Sequence, residues 1–202
     1  MMRILGIDPG LRCTGWGVIA VDGGRLQHIA NGGIQPKPTL DDASRLQIIF
    51  DGLCDVITLH QPNQAAIEQI FVAKSAGSAL RLGMARGVGI LACGVSRLGV
   101  YEISARAVKK AVVGTGTADK KQIQDMVTHL LAVTAQNADA ADALAIAIAA
   151  SNEAGTAASV GLELGKGQVV KEQVGTGQTT GGLSAAIAAA LARDDAGDGG
   201  KT

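Results

Sequence analysis

The chain has 202 residues, with 18 Lys+Arg balanced by 18 Asp+Glu and 47% hydrophobic residues. That length suits one domain of ordinary size with a substantial core, plus extra segments. Apolar runs are short or broken by Gly, Arg or Asp, and "MMRILGIDPG" reaches an acid too early for a signal peptide, so no membrane association is expected and the cytoplasm is the expected compartment.

The first predicted element is "RILGIDPG", a continuous apolar run ending in an acid and a turn, as in a strand buried on both faces. "GWGVIAVDGGRLQHIANGGI" reads as two strands joined at Asp22-Gly23-Gly24. After Pro36 and Pro38, Leu46, Ile49, Phe50, Leu53 and Ile57 form a helical stripe that Pro62 terminates. "QAAIEQIF" resembles a short buried strand whose acid, Glu68, follows an apolar run as Asp8 does. From Ser75 to about Gly94 a helix carries Leu80, Met84, Val88, Leu91 and Val95 as one stripe and Ala76, Ala79, Gly83, Gly87 and Gly94 as a small-residue face. Glycine costs about 1 kcal/mol relative to alanine in a helix interior. Close approach of another helix, including one from a second subunit, would account for so many glycines; a locally weak helix is the plainer reading.

"GVYEIS" is a fifth strand, a helix starts near Ala105, and the basic connection "VKKAVVGTGTADKKQ" leads to a helix through Leu131. "QNADAADALAIAIAA" then begins a small, apolar helix. Alternating strands and helices of this kind make an α/β fold, a mixed sheet covered by helices. Residues 1–150 are read as this domain. Residues 151–202, rich in Gly, Thr, Gln and Ala, are read as a flexible tail with one candidate helix, Leu183 to Arg193.

Cys13, Cys54 and Cys93 are scattered among apolar residues, which suits reduced packing thiols, and none lies at a zinc-ligand spacing from His28, His60 or His129. Residues 1–150 hold 14 Lys+Arg and 12 Asp+Glu, a weak basic excess that says little about nucleic acid without local clustering.

Asp139 and Asp142, three residues apart, point the same way on a helix. Taken alone they read as first-turn acids complementing the helix dipole, with Asp139 available as a cap. Asp142, however, precedes an apolar run and must lie beside the core, where a carboxylate needs a partner or a metal. Should Asp8, Glu68, Asp139 and Asp142 meet, their mutual repulsion would call for divalent cations. Oxygen-only ligation suits magnesium or manganese. Two ions about 3.5 to 4 Å apart would serve an in-line phosphodiester cleavage. Spacing alone does not establish the meeting.

"ILGIDPGLRCTGWGVI", "AIEQIFVAKSAGSALRLGMARGVGI", "VKKAVVGTGTADKKQ" and "ADAADALAIAIA", in this order, resemble the RuvC family of Holliday-junction resolvases through residues 3 to 150. The resemblance implies a ribonuclease H-like fold, a homodimer, and magnesium-dependent resolution of four-way DNA junctions by paired cuts, with RuvA and RuvB as partner proteins. Asp8, Glu68, Asp139 and Asp142 match the family's metal-binding acids, the position of Asp139 being a histidine in some members. Lys109 and Lys120 match basic positions associated with DNA contact, and Lys120 is also assigned to the chemistry. Phe71 matches an aromatic associated with stacking on a base near the cut, where stacking contributes roughly 1 to 3 kcal/mol. Lys74, Lys110 and Lys121 are further DNA-contact candidates, and Arg81 and Arg86 are candidates for tracking phosphates, although such residues commonly form a solvated face.

Three other readings compete. One is a nuclease of similar fold acting on RNA or another branched DNA. Another is an actin-like or sugar-kinase ATP-binding protein suggested by "GIDPGLRCTGWG", which lacks the second lobe and the further phosphate motifs. The third is a junction-binding module without catalysis.

Overall fold

Gly23 and Gly24 both take positive φ, 54° and 84°, the backbone that a two-residue hairpin turn needs and glycine adopts freely. They join Thr14–Asp22 (β2) to Arg25–Ile34 (β3). The structure is a computed structural model describing residues 1–69 and 75–160. Met2–Asp8 (β1) pairs antiparallel with β2 and parallel with Gln64–Glu68 (β4), which pairs parallel with Val100–Ile103 (β5). The resulting five-stranded mixed sheet runs β3-β2-β1-β4-β5.

Among the described residues five helices flank it: Asp42–His60 (α1), Ala76–Val95 (α2), Ala105–Val113 (α3), Lys120–Leu131 (α4) and Ala138–Val160 (α5). Their starts are written in short polar side chains. Asp41, Ser75 and Ser104 each accept a backbone N–H three residues on, and Asp119 with Gln122 forms a capping box at α4.

The two faces of the sheet carry separate cores, and the period of two along each strand decides which residue joins which. Leu5, Ile7, Val18, Ala65 and Ile67 pack with α1 and α2, whereas Ile4, Ile19, Ala66 and Ile103 pack with α3, α4 and α5. Asp8 and Glu68 continue the second set, so both acids emerge on the α5 side. A one-residue slip of either strand would turn its acid to the opposite face.

Helix α5 is buried over every residue from Ala143 to Ala150, between the sheet and α3 and α4. It runs to Val160, ten residues past the boundary expected from composition, and Ser151 is buried with its hydroxyl donating to the Ile148 carbonyl at 2.7 Å. The candidate helix at 183–193 lies outside the described residues.

Helix α2 packs on the core through neither of the two stripes read in its sequence. Its buried residues are Ala85, Gly89, Ala92 and Cys93, while Leu80, Leu91 and Val95 from the large apolar stripe are 66%, 55% and 64% exposed. Small residues face the core because the helix lies close to the sheet: a Cβ on Gly89 would stand 3.3 Å from the Ile67 side chain. By length and composition alone α2 is long and apolar enough to cross a membrane, a test that core helices also pass; in the fold it packs against α1 and β4.

Candidate active site

Asp8 ends β1 and is paired with Gly15 of β2. The turn that follows is tied down by Thr14, fully buried, whose hydroxyl donates to the Gly10 carbonyl at 2.9 Å while accepting from the Gly10 N–H at 3.4 Å. Gly15 is required by close approach, since a Cβ there would collide with the Asp139 carbonyl, as one at Gly6 would with that of Ala143. These two glycines let α5 lie directly on β1 and β2.

Asn137, rather than Asp139, caps α5: its side-chain oxygen accepts from the Ala140 N–H at 2.8 Å. The preceding residue is held from the sheet, where the Asn31 side chain accepts the Gln136 N–H at 2.9 Å and also bonds His28 at 2.8 Å. Asp139 is thereby released from capping. One ligand oxygen each from Asp8, Asp139 and Asp142 lies within 4.8 Å of the others, forming a group that could hold a metal ion.

Glu68 stands outside that group of three but shares a cavity of about 200 Å³ with Asp8, Asp142, Lys109 and Lys120, whose inner wall includes Val108 and Ile123. Burial, and then the charges of Asp142, Glu68 and Asp139, push the Asp8 carboxyl up to about 7. Burial and Asp142 likewise raise Glu68. Asp142 is also raised, chiefly by burial, even though Lys120 Nζ lies 2.7 Å from its carboxylate and draws it the other way. The hydrogen bond to Asp142 raises Lys120 in turn.

The chemistry of this donor set fits a divalent cation. Oxygen donors alone favour a hard ion, and acids that resist joint ionisation are relieved by positive charge. Lys120 occupies the first residue of α4, where the helix dipole disfavours a cation. Asp142 compensates that placement.

The structure brings Asp8, Glu68, Asp142, Lys109 and Lys120 to one cavity, with Asp139 joined to it through the acid group. Lys110 and Lys121 are exposed and do not line it. Phe71 and Lys74 lie outside the described residues. Arg86 is turned inward: its Nε donates to the Glu68 carbonyl at 3.3 Å and its Nη2 meets Glu102 at 2.6 Å. Sequence reasoning passed over Asn31, 105 residues from its partner Gln136, and read Cys13 only as a packing thiol, whereas it is pushed up to about 11 by burial and then by a hydrogen bond to Asp139. Only Thr14 carried a local signal, the Thr-Gly after the first strand.

A mixed sheet with helices on both faces and an acid cluster at the ends of its central strands defines a ribonuclease H-like nuclease. The chain belongs to the RuvC family: residues 4–150 match the family model described as crossover junction endodeoxyribonuclease RuvC. It is 51% identical over 152 residues to crossover junction endodeoxyribonuclease RuvC of Caulobacter sp. (strain K31), covering 75% of this chain and 90% of that one. The relative from Maricaulis maris (strain MCS10) is 53% identical over 147 residues, covering 73% and 89%. Among solved structures, T. thermophilus RuvC in complex with Holliday junction substrate superimposes with a TM-score of 0.73 at 28% identity, over 80% of this chain and 98% of that one. The yeast mitochondrial Holliday junction resolvase Ydc2 shares the fold, with a TM-score of 0.55 at 11% identity over 73% and 78% of the two chains.

Proposed function

We propose that this chain resolves four-way DNA junctions by paired, symmetric, metal-dependent phosphodiester hydrolysis in recombination and repair, acting in the cytoplasm. The observation that carries the reading is the convergence of Asp8, Asp139 and Asp142 within 4.8 Å beside two lysines, in a chain of the RuvC family. Asp8, Glu68, Asp139 and Asp142 are assigned as ligands of magnesium, two ions per site, with manganese as a substitute. The oxygen-only donor set supports that choice. When bound, the ions lower the pKa of water and stabilise negative charge on the attacked phosphate and the leaving 3′ oxygen.

The protein's own part is positional and electrostatic. The carboxylates of β1 and α5 would hold the cations that receive the scissile phosphate. Lys120, ion-paired to Asp142 at the cavity, holds an ammonium where charge develops in the transition state. Lys109 lines the same cavity and neutralises a phosphate beside the cut. Val108 and Ile123 make one wall apolar and limit bulk water. Lys74, Lys110 and Lys121 are assigned to flanking phosphates and Phe71 to stacking on a junction base.

The working unit is a homodimer, whose two-fold axis matches the near symmetry of a four-way junction. Supporting this, α2 leaves Leu80, Leu91 and Val95 exposed, and a Cβ at Gly83, Gly87 or Gly94 would meet nothing within 4 Å. An apolar, small-residue helix face of this kind admits a second helix closely. RuvA and RuvB are the partners proposed from family membership. The nuclease unit is assigned to residues 1–150, with α5 continuing from it to Val160 and the rest of 151–202 as an appended tail.

The test compares a four-way junction, a linear duplex and an RNA–DNA hybrid as substrates with Mg²⁺ or with EDTA. Paired nicks in the junction alone, abolished by EDTA, are expected. Preferential cutting of the hybrid would move the chain to RNA processing.

A further inference from the structure

We propose that Arg86 is a positioning residue that holds Glu68 in place from the far side of the sheet; the inference rests on the reading of Glu68 as a metal-holding carboxylate. Glu68 needs such support. The β1–β4 ladder stops at Ile7↔Ile67, so at Glu68 the strand retains a neighbour on the β5 side only, through Ile103. Beyond it, the Gln69 N–H donates to the Ile103 carbonyl at 2.9 Å. The acid thus sits where pairing runs out.

Arg86 reaches this point from α2. Its Nε donates to the Glu68 carbonyl at 3.3 Å, while Nη2 contacts the Glu102 carboxylate at 2.6 Å. Glu102 is paired with Ile67, whose side chain packs among α1 and α2, so the carboxylate and guanidinium share that face. The Glu68 side chain emerges on the other face, into the acid cavity. One guanidinium therefore joins α2, the end of β4 and β5 behind the backbone of the acid it serves.

Arg86's side chain is only 19% exposed, which separates it from a surface residue tracking phosphates. Its use of two different nitrogens for two partners is a property of the guanidinium fork that a lysine ammonium does not reproduce. Groups that orient metal ligands typically contribute 10–100-fold to metal affinity or activity.

The experiment titrates Mn²⁺ into the full-length protein, followed by electron paramagnetic resonance, for wild type, Arg86→Ala, Arg86→Lys, Glu68→Gln and the Arg86→Ala/Glu68→Gln pair. Junction binding in EDTA and thermal melting accompany it. We expect Arg86→Ala to bind Mn²⁺ about tenfold more weakly, Arg86→Lys to be intermediate, and the double variant to be no worse than Glu68→Gln. Junction affinity should stay within about twofold of wild type. Wild-type Mn²⁺ affinity in Arg86→Ala overturns the proposal, as does a loss confined to junction binding, which would make Arg86 a phosphate contact. If Arg86→Ala does not fold, Arg86→Lys decides, and wild-type Mn²⁺ affinity there overturns the proposal. Unchanged Mn²⁺ binding in Glu68→Gln locates the failure one step earlier, in the assignment of Glu68 itself.

Discussion

Asp8 faces Gly15 across the β1–β2 ladder, and the space where Gly15 lacks a side chain is taken by the Asp139 backbone. Two acids far apart in the chain are neighbours because a glycine lets a helix touch a sheet. Gly15→Ala puts a methyl against that carbonyl. Overpacking of this kind costs about 1–3 kcal/mol. The shift it forces on α5 should lower the cleavage rate about 100-fold, since misplacement by about 1 Å has that effect. Rates on a junction and melting curves, measured together, check it; wild-type cutting would mean that α5 is not seated by Gly15.

Lys120 and Lys121 are adjacent yet differ in placement, one 2.7 Å from Asp142 and the other exposed outside the cavity. Lys120→Ala should cut about 100-fold more slowly, in the range seen when a group stabilising the transition state is removed. Its junction affinity should change little. Lys121→Ala should instead weaken binding and lower the salt slope by about one. Cleavage under single-turnover conditions and binding across a salt series separate the two roles.

The buried acids also set a pH dependence. Burial and its neighbours raise Asp8 from 3.8 to about 7, and Glu68 and Asp142 move the same way. The folded chain thus holds these protons more tightly than the unfolded chain, so their contribution to stability is whole below the unfolded pKa and is lost as pH rises through the folded one. For Asp8 that loss is on the order of 4 kcal/mol between pH 3.8 and 7. His28, lowered by burial, works in the opposite sense below 6.5. Asp8→Asn isolates the acid's share: in EDTA it should gain stability over wild type at pH 8 and little at pH 4. Mg²⁺ should stabilise wild type most at pH 8, where the ligands are ionised. Urea melts at the two pH values check it, and equal differences at both would contradict the coupling.

The exposed face of α2 bears on assembly. Leu91→Glu places a charge on the face carrying Leu80, Gly87 and Val95, and should turn the proposed dimer into a monomer that retains its fold. Light scattering after size exclusion reads the mass, and a junction assay should show unpaired nicks. A variant that remains dimeric and cuts in pairs would place the interface elsewhere.

The four acids stood out in the sequence as candidates because each interrupts or borders an apolar run, a pattern that propensity alone does not explain. The convergence of Asp8, Asp139 and Asp142 was not legible, since it depends on Gly6 and Gly15 admitting α5 and on strand register. The buried face of α2 was not legible for a related reason: Leu80, Leu91 and Val95 make the stronger periodic signal, while the buried contact is made by Ala85, Gly89, Ala92 and Cys93, whose small size carries little hydrophobic periodicity. Asp139 suggested a cap, but Asn137, two residues earlier, does that work. Arg86 and Asn31 act on backbone groups 18 and 105 residues away, and no local pattern marks such partners.

The central claim, that the acid cluster cuts the junctions the protein binds, is tested most directly with Asp142→Asn on a mobile four-way junction. Binding and gel-resolved cleavage are measured for wild type and variant, each with Mg²⁺ or EDTA. Symmetric Mg²⁺-dependent nicks by wild type, and a variant that binds equally well but does not cut, are predicted. Undiminished cutting by Asp142→Asn, or a wild type that binds junctions and never nicks them, would contradict it.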